Sequence, residues 1–275
     1  MKIIDCFTFY NELDMLEFRL NELDNIVDYF VLVECTKTFT NKDKELYFEN
    51  NKSRFSKFLH KIIHIIAKDN IPQIPDIQHT SDIWDIEHYQ RRCIDKGIKQ
   101  LELRNDDLVI ISDLDEIPDS NTLQYLKFTR LIKAIYSLEM DLYYYNLRCK
   151  YITKWHFAKI LNYGSYNGDP QHIRCNSNLR GNIENGGWHF SYFGNVEFIK
   201  NKIMNFAHQE LNNGYVLNDA RITKQLQNNC DLFERDDYKP QYIDIESNTY
   251  LPKKYKDFLH ILDKHLNKNS ELCIL

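Results

Sequence analysis

Along the first 120 residues, short apolar runs alternate with stretches of helical period. Lys2 to Phe9 is apolar and β-prone, which predicts a buried strand. From Asn11 the period lengthens to 3.6: Leu13, Leu16, Leu20 and Leu23 share one face, with Glu12, Glu17, Arg19 and Glu22 elsewhere, so an amphipathic helix follows. Tyr29-Phe30-Val31-Leu32-Val33 is a second strand ending at Glu34, and Lys61-Ile62-Ile63-His64-Ile65-Ile66-Ala67 is a third. Between them, Thr36 to Asn51 is polar and aperiodic and reads as a long loop. Beyond Pro72 and Pro75, Ile83, Trp84, Ile86, Tyr89, Ile94, Ile98 and Leu101 trace a helix into Leu108-Val109-Ile110-Ile111. That run is too short and too β-branched for a helix, and its unbroken apolarity suits a strand buried on both faces of a parallel sheet. Strand, helix, strand with short links opens a parallel α/β sheet.

The second half is strand-heavy. Ile132 to Leu147 and Tyr151 to Leu161 read as antiparallel strands added to the parallel part, and Asn162 to Gly187, rich in Gly, Asn and Ser, reads as loop. Val196, Ile199, Ile203 and Phe206 then mark a helix, and Tyr250 to Leu266 a Lys-rich amphipathic one. The expected fold class is therefore α/β, with a mostly parallel central sheet, flanking helices and an antiparallel part, in one domain of 275 residues.

Composition narrows the function. With 43% hydrophobic and 27% charged residues the chain is ordinary globular protein, and a net charge of -5 argues against nucleic acid as its main partner. Eighteen tyrosines and sixteen phenylalanines serve cores first, and sugar rings equally well. Seven cysteines, an odd number without close pairs, point to neither a disulfide framework nor a zinc site, and fit a reducing compartment. Met1 runs straight into the first strand and no long apolar segment occurs, so a soluble cytoplasmic protein with no transmembrane segment is expected. Oligomeric state is not legible.

Chemistry concentrates in Ser112-Asp113-Leu114-Asp115-Glu116-Ile117-Pro118-Asp119, where the central strand runs into carboxylates. Ligands of parallel sheets collect at strand carboxyl ends. Asp113 and Asp115, two apart, face one side if the chain stays extended, making an oxygen-rich corner for a divalent cation that holds phosphate. The competing reading is a cap for a helix starting near Ser120. Glu34 ends the second strand at the same edge, and it and Thr8 of the first strand are candidate nucleotide contacts, Glu34 either accepting from a base or ribose hydroxyl or capping a turn. Arg91 and Arg92 either form surface ion pairs, Arg91 with Glu87 four residues earlier, or hold phosphate or base oxygens. Gly186 and Gly187 would let the backbone approach a bound diphosphate.

With these segments in place, Asn11-Glu12-Leu13-Asp14-Met15-Leu16-Glu17-Phe18-Arg19-Leu20-Asn21-Glu22-Leu23, the strand from Val27 to Glu34, the acidic motif ending Glu116-Ile117-Pro118, and Gly187-Trp188-His189 together resemble glycosyltransferase family 17. The resemblance implies a GT-A-type nucleotide-sugar fold, with residues 1-120 as nucleotide-binding half and 121-275 as acceptor half with C-terminal helices. It also implies a manganese (or magnesium) ion, a UDP-sugar donor, UDP-N-acetylglucosamine, a glycan acceptor and inversion at the anomeric carbon. On that reading Asp115 binds the metal, Asp113 the metal or the ribose, and His189 is a further metal ligand, while Trp188 stacks on a sugar or belongs to the core. The base that takes the acceptor's proton is sought among Glu184, Glu210 and Asp169. Two rivals are a phosphohydrolase of the haloacid dehalogenase type, whose aspartyl nucleophile also opens an Asp-x-Asp motif, and a non-catalytic carbohydrate-binding protein.

Overall fold

The apolar runs of the first half become four parallel strands. The computed structural model describes residues 1–73, 84–236 and 238–262. β1 (Ile3–Phe9), β2 (Tyr29–Cys35), β3 (Ile62–Ala67) and β4 (Leu108–Asp113) lie in the order β3-β2-β1-β4. Thr8 pairs with Asp113 and Phe9 with Glu34, so the carboxyl ends of β1, β2 and β4 form one edge. α1 (Leu13–Leu23) links β1 to β2 and buries Leu16, Leu20 and Leu23 as its period predicts. Its polar side is not left to solvent. Arg19 and Glu22 are buried too: Arg19 is turned onto Asp5 of β1, and Glu22 is covered by the segment near Tyr250, accepting from the Lys253 and Lys254 amides at 3.2 and 2.8 Å.

The polar stretch before β3 holds one helical turn, α2 (Tyr47–Asn50). The helix expected from Ile83 to Leu101 is two, α3 (Asp85–Arg92) and α4 (Ile94–Ile98), separated at Cys93; Ile83 lies outside the described residues. After β4 the chain makes a two-residue turn into β5 (Glu116–Pro118), and α5 (Ser120–Thr129) starts at Asp119, whose carboxylate accepts from the Asn121 amide at 2.8 Å. The last aspartate of the acidic motif is thus the helix cap.

β6 (Ile135–Tyr144) is the expected antiparallel strand, but the next one breaks at residues 156–158 into β7 (Cys149–Trp155) and β8 (Lys159–Asn162). β8 runs antiparallel to both β4 and β6 and so joins the two halves in one sheet. The loop expected from Asn162 to Gly187 is corrected: it contains α6 (Pro170–Arg174) and most of β9 (Asn182–Ser191), which pairs parallel to β6 and antiparallel to β5. The glycines misled because their use is steric. Gly187 has φ +140, and a Cβ there would collide with the Ile117 carbonyl; one on Gly186 would meet the Leu138 backbone at 2.8 Å. Gly186-Gly187 therefore lets β9 squeeze between two strands, and what the backbone approaches there is protein.

α7 (Val196–Asn205) and α8 (Asp219–Asn228) follow, then the short β10 (Pro240–Tyr242) beside β7. The C-terminal amphipathic helix is a 3-10 turn, Tyr255–Phe258, running into α9 (Leu259–Leu262); its expected continuation to Leu266 lies outside the described residues. The parallel half is sandwiched between two apolar clusters, one containing Phe7, Leu16 and Phe18 on the α1 side, the other Cys6, Val31 and Ile98 on the α3–α4 side. A third, with Tyr144, Tyr151, Tyr192 and Ile199, fills the space between β6–β7 and α7–α8 and absorbs many of the tyrosines. Among the described residues all six cysteines are unpaired, and no helix is long and apolar enough to cross a membrane. The architecture is α/β and GT-A-like, a parallel half extended by a mixed one.

Candidate functional site

The acidic motif is shaped from beneath by Arg19, fully buried on α1. Its Nε and Nη2 grip the Asp5 carboxylate at 2.8 and 2.6 Å, Nη2 also donates to Ser112 Oγ at 2.7 Å, and Nη1 reaches the carbonyls of Asp113, Leu114 and Glu116 at 2.9 Å each. Carbonyls that would otherwise be orphaned in the turn after β4 thus converge on one guanidinium. The turn parts the two aspartates, so they do not share the extended register.

Asp113 faces the α3–α6 side. Its Oδ1 accepts from Arg91 at 2.9 Å and its Oδ2 from Arg174 at 2.7 Å. Arg174 also clasps Glu116 at 2.6 and 2.7 Å, Glu116 takes the Asp113 amide at 2.8 Å, and the Trp155 indole N–H donates to Glu116 as well. Burial would raise the Asp113 carboxyl, but Arg174 and then Arg91 more than offset it and hold it down to about 2. Lys159, buried nearby on β8, is pushed down to about 8 by burial and then by Arg174.

Asp115 faces the α1–α7 side. Lys202 of α7 donates to its Oδ2 at 2.7 Å, and His189 Nε2 lies 3.4 Å from its Oδ1. Against burial, Lys202 and then His189 hold this carboxyl well below the usual carboxylate range. Pairing of Glu116 with His189 in the β5–β9 ladder brings the histidine here, its ring 4.3 Å from that of Trp155 and its Nδ1 buried without a hydrogen-bond partner. A cleft of about 370 Å³ opens beside Asp115 and Lys202, bounded by Glu12 and Asp14 at the start of α1 and by Phe193 and Asn195 beyond β9.

These low carboxyl values carry a sign. An aspartate near 3.9 when unfolded and about 2 when folded contributes stability that is present above pH ~4 and lost as pH falls towards ~2. Urea midpoints measured from pH 5 to pH 2 should fall steeply, and Asp113→Asn should flatten that slope; an unchanged slope would mean the arginines do not hold this carboxylate.

Other expected site residues lie apart. Glu34 is fully buried and accepts from the Phe48 and Glu49 amides at 3.0 and 3.3 Å, so it caps α2. Thr8 is the exception: it is next to last in β1 and pairs with Asp113. Arg92 is exposed and 3.5 Å from Asp169, which caps α6 through the Gln171 and His172 amides. Trp188 is core, packed on Tyr250 at 4.8 Å. Glu184 is exposed in β9 five positions before His189, and Glu210 is exposed and bonded to His208 at 2.7 Å. Sequence reasoning missed Arg19, Glu116, Arg174 and Lys202. Local signals existed for two of them: Arg19 is flanked in sequence by the apolar Phe18 and Leu20, and Glu116 belongs to the acidic motif itself.

Glycosyltransferase family 17, as a sequence model, matches residues 1–271. The chain belongs to this family. Beta-1,4-mannosyl-glycoprotein 4-beta-N-acetylglucosaminyltransferases of Rattus norvegicus, Homo sapiens and Mus musculus are each 24% identical to it over 232 residues, covering 74% of this chain. The chain spans 42% of the rat and mouse proteins and 43% of the human one, less than half the length of these relatives. Within the acidic motif, Asp113 does not suit a phosphohydrolase nucleophile, since both its oxygens are bound by guanidinium groups.

Proposed function

We propose that this family 17 chain transfers N-acetylglucosamine from UDP-N-acetylglucosamine to a β-mannosyl glycan, with inversion and with a divalent cation. The observation that carries the reading is the nest of carboxylates and cations where β4 ends beside β1, the edge at which parallel sheets take nucleotides, with a cleft alongside it. The sugar and acceptor come from the names of the rat, human and mouse relatives.

Among the described residues no three His, Cys, Asp or Glu side chains are gathered as a ready metal cage. The donor set nevertheless fits a manganese or magnesium ion that keeps water and phosphate ligands. Lys202 takes Asp115 Oδ2 and leaves Oδ1 facing His189 Nε2 at 3.4 Å, a spacing at which two atoms share one ion. Asp115 and His189 would hold the ion. When bound, it supplies Lewis-acid neutralisation of the departing diphosphate. Lys202 adds fixed positive charge beside Asp115, and Arg91 and Arg174 add it on the Asp113 side of the turn, all positioned before the reaction begins.

Donor consumption tests the proposal. UDP release from UDP-N-acetylglucosamine, with p-nitrophenyl β-mannoside as acceptor, should require manganese or magnesium and stop with chelator, whereas GDP-sugars should not be consumed. Absence of UDP release from every UDP-sugar would refute the transferase reading, and undiminished release in chelator would refute the metal.

A further inference from the structure

The cleft beside Asp115 holds three carboxylates in different states. Asp115 is bound by Lys202, and Asp14 is ion-paired with Arg54 at 2.8 Å. Glu12 is the exception: among the described residues it has no ion pair, and its hydrogen bond is from the Asn11 amide to Oε2 at 3.1 Å. Although it sits at the cap position of α1, its side chain makes no cap bond to the helix.

The segment carrying Glu12 is tied down. Tyr10 Oη donates to Asn201 Oδ1 at 3.0 Å and Asn11 Nδ2 to the same oxygen at 3.4 Å. Asn201 lies on α7 directly before Lys202, so the Glu12 segment and the Asp115–Lys202 pair share one support. The remaining walls mix side-chain amides with the rings of Phe193 and Phe198. Carboxylate and amide groups with an aromatic wall match the hydroxyls and the C–H face of a pyranose, and about 370 Å³ lies in the range of small-ligand pockets, roughly 300–1,000 Å³.

We infer that this cleft receives the acceptor sugar and that Glu12 is the base of the transfer, an inference resting on the transferase reading. The acceptor hydroxyl gives its proton to Glu12 Oε1 as its oxygen bonds to C1 of the donor sugar. The bond from C1 to the phosphate oxygen breaks, and its electron pair leaves with the nucleoside diphosphate. Glu12, now a carboxylic acid, returns the proton to water after the product departs. Glu184, Glu210 and Asp169 line no part of this cleft.

The test is Glu12→Gln, read in three ways: transfer from UDP-N-acetylglucosamine to p-nitrophenyl β-mannoside, UDP release to water without acceptor, and thermal shift by UDP with manganese. Transfer and hydrolysis should both lose kcat by about 10²–10⁴-fold, while the UDP–manganese shift stays at the wild-type value. Formate should restore part of the turnover of Glu12→Ala. Turnover of Glu12→Gln within a few-fold of wild type would overturn the assignment, as would a loss of UDP affinity matching the loss of rate, which would make Glu12 a donor contact. A wild type that releases no UDP at all removes the transferase reading itself, a result distinct from an active wild type with an active Glu12→Gln.

Discussion

Arg19→Met is expected to destabilise the protein by about 3–5 kcal/mol, the usual cost of removing one partner of a buried ion pair. The change leaves the Asp5 carboxylate charged, buried and unpaired, and strips the carbonyls of Asp113, Leu114 and Glu116 of their common donor. Methionine fills similar volume, so lost polar contacts rather than a cavity should dominate. Arg19→Lys should recover little, because an ammonium cannot span two carboxylate oxygens and three carbonyls at once. Urea unfolding of both variants decides the matter. If Arg19→Lys stays within about 1 kcal/mol of wild type, the forked geometry is not what holds the acidic turn.

On the proposed function, Asp115→Asn is expected to reduce turnover by about 10²–10³-fold while the protein stays folded, because it removes charge from the proposed cation site. The amide oxygen can still accept from Lys202, so the thermal midpoint should fall less than with Asp115→Ala. Asp115→Ala should in addition destabilise the protein by about 1–3 kcal/mol, since Lys202 is left without its acceptor in a largely enclosed place. Manganese binding followed by electron paramagnetic resonance should weaken in both variants. Full manganese affinity with Asp115→Asn would place the ion elsewhere and detach the motif from metal chemistry.

The strands of the parallel half are readable because burial on both faces leaves an unbroken apolar run, a property of each segment alone. The acidic motif is equally local: β4 must end where carboxylates begin, and Asp119 caps the helix that starts at the next residue. Misreadings follow from the reverse situation. Asn162 to Gly187 has loop composition, yet β9 runs through it because its glycines allow close passage between β5 and β6, and its hydrogen-bond partners come from those strands. Glu34 had two readings that sequence position could not separate, and the α2 amides arriving from fourteen and fifteen residues onward chose the cap.

What the sequence determined by itself is the α/β order and the position of Asp113 and Asp115 at the carboxyl end of the fourth strand. What the tertiary structure alone decided is how that pair is used. Arg19 reaches the motif from 94 positions away, Arg174 from 61 and Lys202 from 87, and these cations divide the aspartates between two sides of the turn. A chain pattern records only the period with which a residue meets its own element. The charge that settles on a carboxylate depends on which distant side chains the packed core brings within a few ångströms, where here their attraction outweighs the cost that burial imposes.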